Sequence, residues 1–381
     1  QAVLEGVSRK NAGEVGKVIV FGCLSQRYGD ELPELVPEVD EWYGARDFDP
    51  VVRSLGAEPS DKKAADRYLT TPSHYAYLKI SEGCDRRCSY CAIPFIRGAH
   101  KSVPIETLVK EAESLAASGV KELIIIAQDT TFYGLDLYRR RALAELLQKV
   151  SEVDGIEWIR LLYLYPERID DALIDEFANN EKIVKYMDIP LQHCNENVLK
   201  RMNRHGDRES LPVLLNKIRE RIDGVTIRTT FIAGFPGETE EEFNELCEFI
   251  EEMRFERMGC FAYSEEEGTP AAKLDGMIDY EIRADRADII NERQNVILDE
   301  LNESLVGKVL PTIVEGYDSY SDSYYGRTTM DAPEIDGKVF FTSNVKYNPG
   351  DFADVEITDY MEYDLYGKTS KLKFGHRGCN H

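Results

Sequence analysis

Cys84, Cys88 and Cys91 stand at a C-x3-C-x2-C spacing inside the run Ser81-Glu82-Gly83-Cys84-Asp85-Arg86-Arg87-Cys88-Ser89-Tyr90-Cys91-Ala92-Ile93-Pro94. Three thiolates this close can hold three irons of a four-iron, four-sulfur cluster, whereas a cluster that only carries electrons normally has every iron closed by cysteine. The missing fourth ligand leaves one iron open to a substrate. Zinc is the rival, since His100 is near enough in sequence to complete a tetrahedral set, but structural zinc ligands usually come as two closely spaced pairs, which this run lacks. Buried structural cysteines are the plainest alternative, and against it Asp85, Arg86, Arg87 and Ser89 make the run polar and loop-like.

The remaining cysteines divide by context. Cys23 follows a strand in the turn Gly22-Cys23, which places it at a strand end, with a structural role as the even alternative. Cys247 and Cys260 fall on apolar helix and strand positions and read as core. Cys194 lies beside a strand end but has no evident partner, and Cys379, with His376 and His381, offers metal ligands in what otherwise reads as a loose tail.

A thiolate trio on a loop must be held by something stiffer, and the chain from His74 to about Pro270 alternates strand and helix as a parallel barrel requires. Strands are predicted at 74–80, 122–127, 158–165, 185–191, 225–233 and 258–263. Between them Ile105, Leu108, Val109, Ala112, Leu115 and Ala116 share one helix face, and Thr239 can cap a helix whose apolar face is Phe243, Leu246, Cys247, Ile250 and Met253. Six such units are fewer than a closed barrel's eight, so the sheet stays open on one side and could admit a large substrate. In this architecture chemistry sits at the carboxyl ends of the strands. Those ends carry Gln128-Asp129, Tyr165-Pro166-Glu167 and Gln192-His193, while the fifth strand bears Arg228 and runs into Gly234-Phe235-Pro236-Gly237-Glu238-Thr239. The glycines permit close backbone approach to a ligand, although a turn followed by a helix cap accounts for that hexapeptide equally well.

On either side the pattern changes. Before about Ala57 only two strands are legible, at 17–21 and 41–43, too few for an independent α/β layer, so the chain is expected to begin inside a domain. A polar linker with Gly56, Pro59, Ser60, Asp61, Lys62 and Lys63 follows. Residues 280–305 read as a long charged helix, and the short β-type runs 312–315, 338–341 and 352–358 between Gly, Pro, Asn and Asp turns predict a small antiparallel barrel. From 306 to 381 there are twelve acidic and eight basic residues among many tyrosines. A nucleic-acid barrel would set its aromatics in a basic groove.

The whole chain has a formal net charge of −24, which repels polyphosphate and favours a basic protein as partner. Eight cysteines without a signal peptide indicate a reducing cytoplasm, and no apolar run approaches the about 18 residues that span a bilayer.

On the C-x3-C-x2-C run, Gly22-Cys23-Leu24-Ser25-Gln26-Arg27-Tyr28, the Gly234 hexapeptide and the terminal barrel, the chain resembles the methylthiotransferases of the radical S-adenosylmethionine (SAM) superfamily. Lys79-Ile80-Ser81-Glu82-Gly83-Cys84, Ala92-Ile93-Pro94-Phe95-Ile96-Arg97-Gly98, Pro190-Leu191-Gln192-His193 and Tyr363-Asp364-Leu365-Tyr366-Gly367 resemble the RimO branch, which modifies an aspartate of the small-subunit ribosomal protein numbered twelve, rather than the branch acting on transfer-RNA adenosine.

The resemblance implies an α/β fold: a partial (β/α)6 radical SAM barrel, an incomplete N-terminal α/β domain and a C-terminal antiparallel β-barrel of the TRAM type. Its expected divisions are the remainder of the N-terminal domain at 1–57, a linker at 58–73, the radical SAM domain at 74–279, a connecting helix at 280–305 and the barrel with its tail at 306–381. It further implies SAM and two 4Fe–4S clusters in the full-length protein. Cys84, Cys88 and Cys91 would hold the radical SAM cluster. Cys23 would be one of three ligands of an auxiliary cluster whose other two have no counterpart in this sequence, so the chain as given is expected to assemble only the first. Tyr90, Gln128, Asp129, Gln192, Arg228 and Gly234 are the implied SAM contacts, with no catalytic side chain assigned beyond the cluster ligands. The implied partners are a basic ribosomal protein and a one-electron reductant such as flavodoxin or ferredoxin, with neither nucleic acid nor membrane.

Overall fold

The protein is described by a computed structural model covering residues 1–59 and 68–369. The linker residues 60–63 and the tail ligands Cys379, His376 and His381 lie outside the described residues. Two compact units are found: one gathers Gln1–Arg67 with Glu82–Arg87 and Cys91–Lys101, the other Tyr68–Ser81, Cys88–Tyr90 and the chain from Ser102 onward.

In the first unit, helix α1 (Ala2–Asn11) lays Val7 against Val18 and Val39. Strands β1 (Ile19–Phe21) and β2 (Glu41–Tyr43) pair in parallel with Val20 opposite Trp42, matching the two runs legible in the sequence. Short helices α2 (Cys23–Arg27), α3 (Leu32–Leu35) and α4 (Phe48–Ser54) complete this segment. Helix α1 has only a valine stripe to announce it, and nothing in the sequence analysis anticipated it.

The second unit is built on six parallel strands. The chain runs through β3 (Tyr75–Lys79), the two-residue strand β4 (Ser81–Glu82), α5 (Ile93–Arg97, part of the first unit), β5 (Lys101–Ser102) and α6 (Ile105–Ala117). It continues through β6 (Glu122–Ile126), α7 (Leu143–Ser151), β7 (Trp158–Leu161), α8 (Asp171–Asn179), β8 (Ile183–Asp188), α9 (Glu196–Arg201) and α10 (Ser210–Arg221) to β9 (Thr226–Ala233), α11 (Glu240–Met253), β10 (Arg257–Ala262) and α12 (Tyr280–Glu303). The sheet order β10-β9-β8-β7-β6-β3 is the sequence order, so the expected open six-stranded barrel is present. Leu123, Ile124 and Ile125 are wholly buried, as parallel strands covered on both faces require. The free edge at β10 is covered: Asn291 of α12 accepts from the Cys260 N–H and donates to its carbonyl, both at 3.0 Å.

The terminal barrel comprises β11 (Val309–Asp318), β12 (Ser323–Thr328), β13 (Val339–Thr342), β14 (Phe352–Met361) and β15 (Asp364–Thr369), closed in the order β11-β12-β13-β15-β14. Its pairs are antiparallel apart from β13 with β15, which run parallel. Strands β12 and β15 were not legible because a glycine interrupts each run. At Gly326 a Cβ would lie 2.2 Å from the Ile313 carbonyl oxygen, so the crossing backbone leaves no room for a side chain.

This barrel is locked to the sheet by buried charge. Glu122 on β6 accepts from Arg160 Nε at 2.8 Å and from Arg327 Nη2 at 2.5 Å, and Arg327 Nε donates to Glu315 at 2.7 Å. Loop 329–338, between β12 and β13, reaches three strands of the sheet: Arg160 of β7 donates to the Thr329 carbonyl, Arg257 of β10 pairs with Asp331 at 2.7 Å, and the Tyr186 hydroxyl of β8 donates to Asp336 at 2.7 Å. Ala332 is fully buried in a cluster with Tyr75, Trp158, Tyr186 and Ile313.

Candidate functional site

The cysteine loop leaves β4 through Gly83, whose φ of +79° is left-handed and whose Cβ, were there one, would lie 2.2 Å from the Ala99 carbonyl oxygen. The Cys84 N–H donates to the Gly98 carbonyl at 2.9 Å, and Asp85 accepts from the His100 N–H at 3.0 Å. Cys84 is buried and Cys91 half-buried. In the same unit Arg97, at the end of α5, donates to the Cys23 sulfur at 3.1 Å, and Glu82 lies 3.6 Å from the Arg97 guanidinium. Cys23 is exposed at the start of α2.

The middle of the loop belongs to the barrel unit. Ser89 fixes it there: its N–H donates to the Met202 carbonyl at 2.9 Å, its hydroxyl to the Arg201 carbonyl at 2.7 Å, and its own carbonyl accepts from Ala271 at 2.8 Å. This presents Cys88, buried, with its sulfur 3.7 Å from the Tyr165 hydroxyl at the end of the third barrel strand. Burial pushes the Tyr165 phenol far above its usual range, against the pull of Arg204, so it remains protonated and can donate to a thiolate. Tyr90 packs half-buried against the barrel core.

The other predicted residues fall into three places. Gln128 follows β6 with its Oε1 buried and without a partner among the described residues. Asp129, next in line, accepts from the Phe132 N–H and the Thr131 hydroxyl and lies 3.6 Å from Arg168. Gln192 adopts a left-handed φ of +73° and continues strand pairing through its backbone with Thr230 and Ile232. Arg228 is spent differently: it donates to Asp188 at 3.0 Å and lies 3.7 Å from Asp336 of the terminal barrel. Burial pushes the Asp188 carboxyl up, opposed by that same arginine.

The Gly234 hexapeptide closes on itself. Glu238, buried, accepts the Gly234 N–H on both oxygens at 3.0 and 3.1 Å and receives Arg286 at 2.8 Å. His193 Nδ1 accepts from the Asn195 N–H, which leaves the ring's proton on Nε2, 3.5 Å from Glu238. Thr239 and Glu242 complete a capping box at the start of α11. Two residues the sequence analysis missed stand out. Arg204, after α9, has no periodicity or motif to mark it. Glu122 could have been noticed as a charge inside an otherwise apolar strand.

Cysteine thiols are soft donors of the kind that ligate iron–sulfur clusters, and the Gln128 Oε1 at a strand end, buried and without a partner among the described residues, suits a polar ligand such as SAM. The family model of the radical SAM superfamily matches residues 78–250, and that of the TRAM domain matches 306–369. An open parallel barrel with this cysteine loop after its first strand defines a radical SAM enzyme, whose cofactors are SAM and a 4Fe–4S cluster, which removes the zinc alternative. The ribosomal protein uS12 methylthiotransferase RimO of Christiangramia forsetii is 46% identical over 367 residues, 96% of this chain and 81% of that protein; its counterpart in Clostridium botulinum strain Langeland is 44% identical over 378 residues, 96% and 84%. The chain therefore belongs to the RimO family of radical SAM methylthiotransferases. In fold it is similar to the radical SAM methyltransferase TsrM of Kitasatospora setae, with a TM-score of 0.54 and 15% identity over 83% of this chain and 64% of that one.

Proposed function

We propose that this enzyme adds a methylthio group to the β-carbon of an aspartate in ribosomal protein uS12. The observation that carries the choice of substrate is the acidic terminal barrel. Residues 306–369 include twelve acidic and five basic side chains, and one of the five, Arg327, is buried and neutralised by Glu122 and Glu315. Asp322, Asp351, Asp359 and Glu362 are exposed there, and acidic surface of this kind attracts a basic ribosomal protein and repels a phosphate backbone.

Cys84, Cys88 and Cys91 would hold the cluster, with Tyr165 donating toward Cys88, while Tyr90, Gln128, Asp129, Gln192 and Gly234 are the candidates for holding SAM. Gly234 would serve through the shape of its loop, because its N–H is already taken by Glu238. Arg228 would act at one remove, keeping Asp188 in place. When bound, the cluster and SAM supply the one-electron chemistry that takes hydrogen from an unactivated carbon, which no side-chain base can do. Cys23 would contribute to the auxiliary cluster that provides sulfur. The enzyme works in the cytoplasm with a one-electron donor such as flavodoxin or ferredoxin.

The test is to incubate the full-length enzyme, SAM and reductant with uS12 and, separately, with transfer RNA, then weigh both products. A methylthio gain on uS12 alone supports the reading. A gain on transfer RNA, or reversible reduction with no SAM turnover, overturns it.

A further inference from the structure

Arg204 is buried at 7% exposure beside the cysteine loop, yet its guanidinium is only partly used. Nη2 donates to the Pro190 carbonyl at 2.5 Å, and the guanidinium carbon sits 4.4 Å from the centre of the Tyr165 ring. Nη1 is buried and has no partner among the described residues. A buried charged donor left unmatched costs free energy, so a protein keeps one where something else completes it.

Its neighbours tie it to the cysteine loop through Tyr165. Asn203, with a left-handed φ of +54°, reverses the chain after α9 and sends Arg204 inward. The same turn supplies the Arg201 and Met202 carbonyls that pin Ser89, the neighbour of Cys88. One short segment thus fixes both the arginine and the cysteine, with Tyr165 touching both. Burial opposes the arginine's charge, but Tyr90, Tyr165, Cys88 and Glu167 outweigh it and raise its proton affinity above the ordinary arginine value.

We propose that Arg204 is a positioning residue of the radical SAM cluster: its permanent charge, set against the Tyr165 ring whose hydroxyl lies 3.7 Å from the Cys88 sulfur, stabilises the extra electron of the reduced state. A fixed cation in a low-dielectric site favours the more negative of two redox states, so removing it must make the cluster harder to reduce. The proposal rests on the reading of Cys84, Cys88 and Cys91 as cluster ligands.

The experiment is an EPR-monitored redox titration of the reconstituted protein as wild type, Arg204→Lys and Arg204→Gln, with iron and sulfide content measured on each. In R204Q the reduced-to-oxidised ratio at fixed poise should fall about tenfold, equivalent to about 59 mV for a one-electron couple, and R204K should recover most of it. An unchanged ratio in a fully loaded R204Q overturns the proposal. If R204Q does not load, normal loading and potential in R204K support a requirement for charge, whereas failure of both with loss of folded circular dichroism assigns Arg204 to packing alone and overturns it. Wild-type protein with no cluster signal would instead sink the ligand assignment, so the two failures are separable.

Discussion

Glu122 and Arg327 form an ion pair at 2.5 Å that is wholly buried and joins the second barrel strand to the terminal barrel. Burial alone would raise the Glu122 carboxyl, but Arg327 and Arg160 outweigh it and lower it to about 2. The folded value lies below the ordinary carboxylate value, so the stabilisation is complete above pH about 4.5 and is lost as pH falls through about 2. Glu122→Gln strands two buried guanidiniums and should cost about 3–5 kcal/mol near neutral pH. Denaturant melts of both proteins from pH 7 to pH 3 should show the gap narrowing with acid; a gap independent of pH would contradict the role of this carboxylate.

Gln128 presents a buried oxygen that nothing among the described residues satisfies. If SAM completes it, Gln128→Ala should weaken SAM binding about tenfold, the value of one hydrogen bond, while leaving the fold intact. Calorimetric titration of SAM into the cluster-loaded protein measures this, and equal affinities would remove Gln128 from the site.

Two glycines of one loop should respond differently to alanine. Gly234 has φ +72° and its Cβ would meet Arg283 Cγ at 2.3 Å, whereas Gly237 has φ +77° and its nearest neighbour would be Arg201 Nε at 3.6 Å. Both substitutions bear the backbone cost of about 1–2 kcal/mol, and G234A should lose about another 1 kcal/mol to the steric clash. Equal midpoints in urea would show that Arg283 simply moves aside.

Thr239 caps α11 by accepting the Glu242 N–H, while Glu242 accepts the Thr239 N–H at 2.9 Å and Arg201 at 2.8 Å. Thr239→Ala should cost about 1 kcal/mol of stability, and Thr239→Ser should restore it. Failure of serine to restore the midpoint would point to the threonine methyl rather than its oxygen.

Cys88→Ala should abolish 5′-deoxyadenosine formation from SAM and dithionite. Tyr165→Phe, which removes only the hydroxyl 3.7 Å from that sulfur, should leave the cluster in place with slower turnover. Undiminished SAM cleavage by C88A would be incompatible with its role as an iron ligand.

What could be read from the sequence was local. The cysteine spacing, the apolar strands and the Thr239 cap each declare themselves within a few residues, so the open barrel was legible, with its candidate site residues placed at the strand ends. Arg228 was correctly placed on a strand, but its partners Asp188 and Asp336 lie 40 residues before it and 108 after it, and no local pattern reveals that the terminal barrel reaches so far in. The same holds for Arg160, which serves Glu122 and Thr329 together. Strands β12 and β15 escaped because glycine at a close crossing reads as a turn when it is a packing requirement. Arg204 escaped because a lone arginine after a short helix looks like solvated surface.

Loop 329–338 carries a mechanical implication. Because Asp331 and Asp336 are seated on Arg257 and Tyr186, the acidic barrel cannot swing independently of the strands that bear the site. The two act as the jaws of a caliper set at one opening. If the proposed docking of uS12 on the acidic jaw holds, the substrate would be offered for reaction at a fixed reach, and the span of its backbone would select the aspartate that arrives.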